Sequence, residues 1–158
     1  MKLTLYFFCF LISLSVSAQK NKSKPADPAP AKQEIISSLN NQYNFYKEKA
    51  LQIWEYAEIG FKEEKSSALL QQILKDNGFS VEAGVAGMPT AFIASYGSGS
   101  PVIGILAEFD ALPGLAQTTA PVKTPVAGKI AGHACGHHLF GVASVAAAIE
   151  VKKLMEQK

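Results

Sequence analysis

The chain contains no arginine. Its 15 basic residues are all lysine, scattered so that no basic stripe forms, and against 13 acids they leave a formal charge of +2. That pattern does not suit a phosphate backbone, so nucleic acid is set aside as a partner. Cysteine is nearly absent too, with only Cys9 and Cys135. Histidine is limited to three residues, all between positions 133 and 138. There are no internal repeats. The N-terminal apolar run, residues 5–14, falls short of the roughly 20 residues that a membrane span needs.

That run reads as part of an export signal. Lys2 supplies the positive start, residues 5–14 the apolar core, and Ser15-Val-Ser-Ala18 the small residues for cleavage before Gln19. A retained anchor is the alternative. Cleavage would remove Cys9 and leave Cys135 alone, which excludes an internal disulfide. A lone thiol in an oxidising compartment is a liability unless it is buried or bound to metal. The expected product is exported, periplasmic or extracellular, with no membrane contact after cleavage. Residues 19–31, rich in Lys, Pro and Ala, are expected to be a disordered linker, and residues 32–158 the domain.

Apolar periodicity then sets the elements. Ile36, Leu39, Tyr43, Tyr46, Ala50, Ile53, Trp54 and Ala57 recur at helical steps, which predicts one amphipathic helix with its aromatics packed in the core. A second helix is expected over residues 63–77, with Leu69, Leu70, Ile73 and Leu74 inward and Gly78 as its stop. Residues 79–85 alternate and predict a strand, as do residues 90–96. Residues 102–107 are continuously apolar and predict a central strand buried on both faces. Residues 117–129 read as a loop, and residues 139–153, rich in Ala, Val, Gly and Ser, as a helix that lies close against a sheet. The order fits a three-layer α/β or α+β domain.

Two places carry chemistry. Glu108 and Asp110 leave the end of the apolar 102–107 run on the same side, where ligands of open sheets bind; the alternative is a pair of solvated loop acids. Residues 132–141 read Gly-His-Ala-Cys-Gly-His-His-Leu-Phe-Gly. In an extended backbone His133, Cys135 and His137 would share one face. Thiolate and imidazole suit zinc, and Gly136 lets the chain turn sharply. The expectation is a metal-binding loop that feeds a helix, with a buried inert thiol and surface histidines as the alternative.

Three segments, Trp54-Glu-Tyr-Ala-Glu-Ile-Gly-Phe-Lys-Glu-Glu64, Ile105-Leu-Ala-Glu-Phe-Asp-Ala-Leu-Pro113 and Gly132-His-Ala-Cys-Gly-His137, occur in this order. Together they resemble the N-terminal part of the metal-dependent amidohydrolase and carboxypeptidase family, which includes aminoacylases and the hippurate, auxin-conjugate and p-aminobenzoyl-glutamate hydrolases. The Ala107-Glu-Phe-Asp110 and Leu-Phe-Gly141 features look nearest the last of these. The resemblance implies the N-terminal part of a metallopeptidase-like catalytic domain and two divalent ions, Zn or Mn, in the complete enzyme. It also implies a small-molecule amide substrate and a homodimer when full length. On its pattern Cys135 is a bridging thiolate and His137 a ligand; Asp110, at the end of the apolar run, is expected to be the catalytic residue, an orienting carboxylate beside them. Glu108, His133 and His138 stand behind the ligands or beside the substrate. His138 departs from the Asn or Asp usual there. The family's general base and further ligands lie in later segments that these 158 residues do not contain.

The leading expectation is therefore hydrolysis of N-acyl or N-aroyl amino acids or dipeptides, with this chain inactive by itself. An exported, non-catalytic metal- or partner-binding remnant is the alternative. A cysteine nucleophile at Cys135 with His137 or His138 as base is a third reading, disfavoured because a cysteine and its base are seldom two residues apart.

Overall fold

The computed structural model describes residues 29–157, so the expected signal segment and most of the expected linker lie outside the described residues. Four helices, α1 (Ala29–Asn41), α2 (Tyr43–Tyr56), α3 (Glu64–Asp76) and α4 (His137–Glu156), accompany two small sheets. One pairs β1 (Ser80–Ala83) with β2 (Phe92–Ser95), and the other β3 (Leu112–Pro113) with β4 (Ala131–Gly132), both antiparallel. Helices with small sheets are compatible with the α/β class, but the described residues form no three-layer sheet.

The core lies where α2, α3 and α4 meet. Ile53 and Leu70 are fully enclosed, and Ala50, Ile73, Leu74, Val142, Val145 and Ile149 complete the cluster, with Phe79, Phe92 and Phe109 against it. The inward face expected for the second helix is the one observed. It ends at Asn77, whose N–H reaches the Ile73 and Leu74 carbonyls, and Gly78 follows at φ +80°, a left-handed conformation that costs glycine least.

Four expectations change. The single long first helix is two, broken at Gln42 (φ −101°, ψ 7°), where Asn40 and Asn41 have poor helix propensity. Its upstream half, α1, buries no residue and starts at Ala29, inside the stretch expected to be linker. The strand over residues 79–85 is shorter, because Val85–Gly87 winds into a 3₁₀ turn.

The largest change is at residues 102–107, which form no strand. Val102, Ile103, Ile105 and Leu106 are 88%, 75%, 44% and 73% exposed. An apolar run marks what could be buried, whereas burial needs a partner on each face. Here α4 approaches through Ser144 Oγ, which donates to the Leu106 carbonyl at 2.8 Å, while β1 and β2 pair with each other.

Gly141 shows how closely α4 lies on this segment. A Cβ there would stand 2.9 Å from the Glu108 carbonyl oxygen and 3.3 Å from Phe109 Cβ. The small-residue face of α4 thus lies close against residues 106–109, not against the expected sheet.

Candidate metal centre

Asp110 and the histidine stretch are joined by the β3–β4 ladder. β3 follows Asp110 by one residue, β4 immediately precedes His133, and Leu112 pairs with Gly132. Gly132 is required there, since a Cβ would meet Leu115 O at 2.6 Å and Ala116 Cα at 2.7 Å. The chain then turns, with Gly136 N–H donating to the His133 carbonyl at 3.3 Å. Gly136 sits at φ 89° and caps α4, whose first residue is His137.

This turn changes the expected arrangement. Alternation would put His133, Cys135 and His137 on one face only in an extended backbone, and the backbone here is folded back. His137 and His138 also belong to the first turn of α4, not to a loop before it.

The structure brings together Glu108, Asp110 and His137, each offering a ligand atom within 4.8 Å of the others. His137 Nδ1 lies 2.8 Å from Asp110 Oδ1, and Nε2 lies 3.1 Å from Glu108 Oε2. The imidazole is therefore held at both ends by carboxylates. A neutral ring carries one N–H and can donate to only one of them. Cys135 is a free, exposed thiol outside this three-residue group.

His133 and His138 go elsewhere. Both are buried, at 4% and 8% exposure. Their rings stand 4.9 Å apart, and Trp54 meets His138 edge-on at 5.1 Å. His133 Nε2 contacts the Ile53 carbonyl at 3.1 Å, while Nδ1 of each ring lacks a hydrogen-bond partner among the described residues. Burial lowers the pKa of His133, opposed by the Ile53 contact. Burial, and then the neighbouring His133, push His138 down to about 4. Both rings are consequently neutral near pH 7.

Sequence reasoning passed over Trp54 as a partner of the histidines and Glu58 as a structural residue. Glu58 Oε1 accepts from the Lys65 N–H at 3.0 Å, and Oε2 from the Ser66 N–H and Oγ at 2.8 and 2.7 Å. Its carbonyl accepts from the Ala111 N–H at 2.7 Å. A glutamate capping a helix from outside its first turn fits no local capping pattern, so spacing carried no signal for it.

No family model matches the chain. Among curated proteins, one subunit of the p-aminobenzoyl-glutamate hydrolase of Escherichia coli (strain K12) is 47% identical over 113 residues, 71% of this chain and 24% of that protein. Thermostable carboxypeptidases 1 and 2 of Saccharolobus solfataricus are 33% and 31% identical over 110 residues, each match covering 66% of this chain and 27% of the relative. The chain spans about a quarter of the length of these relatives. Over the matched part the chain is similar to these hydrolases, a likeness that supports a metal-dependent amidohydrolase and peptidase family.

Proposed function

We propose that the protein serves a metal-dependent amidohydrolase acting on N-acyl or N-aroyl amino acids, of which p-aminobenzoyl-glutamate is the model, or on dipeptides. The observation that carries this reading is the His137 imidazole held between Asp110 and Glu108 in a chain similar to these hydrolases. Imidazole and carboxylate oxygens suit Zn or Mn, so the donor set fits the divalent ions that the family implies. When bound, such ions would supply Lewis acidity toward an amide carbonyl and toward water.

In this reading His137 holds the metal and Cys135, whose exposed thiol stands outside the three-residue group, joins it on binding. Asp110 fixes the ring orientation and tautomer of His137 through Nδ1, the usual task of a carboxylate behind a ligand histidine. That leaves Nε2 for the ion, with Glu108 beside it to join the site or orient a bound substrate. His133 and His138 support the ligand turn from behind, packed on Trp54. A complete enzyme would work as a homodimer on a small amide substrate.

The test is metal content after dialysis against Zn²⁺ or Mn²⁺. Cys135→Ser and His137→Ala should each lower it by about tenfold or more in affinity, since a serine hydroxyl stays protonated near neutrality. His138→Ala should retain the metal. Unchanged stoichiometry and affinity in both Cys135→Ser and His137→Ala would refute the assignment.

A non-catalytic metal-binding role is the second reading. It is favoured by the small number of donors that converge, three side chains among the described residues.

A further inference from the structure

Glu58 sits at a junction that the metal reading does not use. It follows Ala57, the left-handed residue (φ 45°) that closes α2. Its carboxylate takes up two backbone N–H groups and one hydroxyl at the start of α3. The N-cap residue of α3, Glu63, makes no capping bond of its own; its carboxylate accepts instead from Thr90 Oγ1 at 2.7 Å. Glu58 is therefore the cap of α3, and the negative charge suits the positive end of the helix.

The same residue reaches the metal centre through its backbone. The Ala111 N–H that donates to the Glu58 carbonyl belongs to the peptide group whose C=O is that of Asp110. Fixing that peptide plane fixes ψ of Asp110, and so the direction from which its side chain meets His137. Ala111 is 1% exposed and bridges Ile59 in parallel fashion, so no water replaces the contact. Ser66, on the other side of Glu58, is fully buried.

We propose that Glu58 is a positioning residue: its side chain, anchored on α3, holds its carbonyl so that Asp110 meets His137 Nδ1. This rests on the metal reading of His137 for its functional meaning, but its geometry does not depend on metal. Without the anchor, the loop between α2 and α3 loses three hydrogen bonds. A shift of about 1 Å at the Asp110 peptide would take the 2.8 Å Asp110–His137 contact beyond hydrogen-bonding distance.

The experiment is long-range ¹H–¹⁵N NMR of the histidine side chains in the metal-free chain, with the His137 signals assigned through His137→Ala. The wild type should show His137 protonated at Nδ1 and shifted by its bond to Asp110. Ser66→Ala removes the hydroxyl but leaves both N–H bonds to Glu58; it should lower Tm and preserve this signature. Glu58→Gln retains only one acceptor oxygen against two N–H groups and should lose the signature while remaining folded. Glu58→Ala should behave likewise, with a larger fall in Tm.

Survival of the signature in Glu58→Gln, its equal loss in Ser66→Ala, or a wild-type ring not protonated at Nδ1 would each overturn the inference. Zinc titration of the same samples separates it from the reading beneath. Binding about 10- to 100-fold weaker in Glu58→Gln than in Ser66→Ala supports both. A wild type that holds no zinc, yet loses the signature only in the Glu58 variants, refutes the metal reading and upholds the positioning role.

Discussion

Of the three histidines, neighbours in sequence meet opposite surroundings. His137 faces two carboxylates, whereas His138, one position along the same helix turn, is enclosed by Trp54 and His133. Burial and the adjacent imidazole hold His138 near a pKa of about 4, below its ordinary value of 6.5. The unfolded chain therefore binds the proton more tightly. The stability that neutral His138 contributes is complete above about pH 6.5 and is lost as pH falls toward 4. The limiting slope is about 1.4 kcal/mol per pH unit for one proton. Burial moves His133 in the same direction. Urea unfolding followed through Trp54, the only tryptophan, should show this loss between pH 7 and 5. His138→Phe keeps an aromatic ring against Trp54 and removes the titration, so its pH dependence should be flatter. Parallel curves for the two proteins would refute the assignment.

Among the elements, α4 does the most to place the acids. Gly141 and Ser144 let its backbone come against residues 106–109, and His137 stands at its start. Alanine normally stabilises a helix interior by about 1 kcal/mol over glycine. At Gly141 that gain meets a Cβ placed 2.9 Å from the Glu108 carbonyl and 3.2 Å from Leu70 Cδ1. Backbone cannot yield as a flexible side chain can, and overpacking costs about 1–3 kcal/mol. Gly141→Ala is thus expected to lower the urea midpoint despite its better propensity; a raised midpoint would show that the helix and the segment separate without cost.

This element also shows what the sequence makes legible. The helical steps of α3 and the run of small residues in α4 are local patterns, and they predict the faces that pack. The apolar run over residues 102–107 predicts burial as well, but its cover depends on distant chain, and no strand among the described residues pairs with it. The histidine alternation fails for a related reason. Period two holds in extended chain, and the turn closed by Gly136 reverses it. The association of Asp110 with His137 depends on the β3–β4 ladder, which closes the loop of residues 114–130. No local spacing encodes a pairing of that range.

For the molecule as a whole, the issue is how much chemistry these residues can perform by themselves. Glu108, Asp110 and His137 are engaged with one another, and Asp110 is the partner that fixes the ring. A general base must reach the proton it removes within about 3 Å, directly or through one water, and be free of a competing task. Asp110 does not meet the second condition while it binds the imidazole, and Glu108 stands against Nε2, the nitrogen left for the proposed ion. His133 and His138, the other histidines, are buried away from solvent. Positioned acid–base catalysis contributes roughly 10²–10⁴-fold, and a catalytic zinc commonly takes three protein ligands with one open position. The 158-residue chain, purified and loaded with Zn²⁺ or Mn²⁺, is therefore expected to hydrolyse p-aminobenzoyl-glutamate and hippurate barely above the metal-only background. Product release followed by chromatography measures this directly. Robust turnover that His137→Ala abolishes would overturn the expectation.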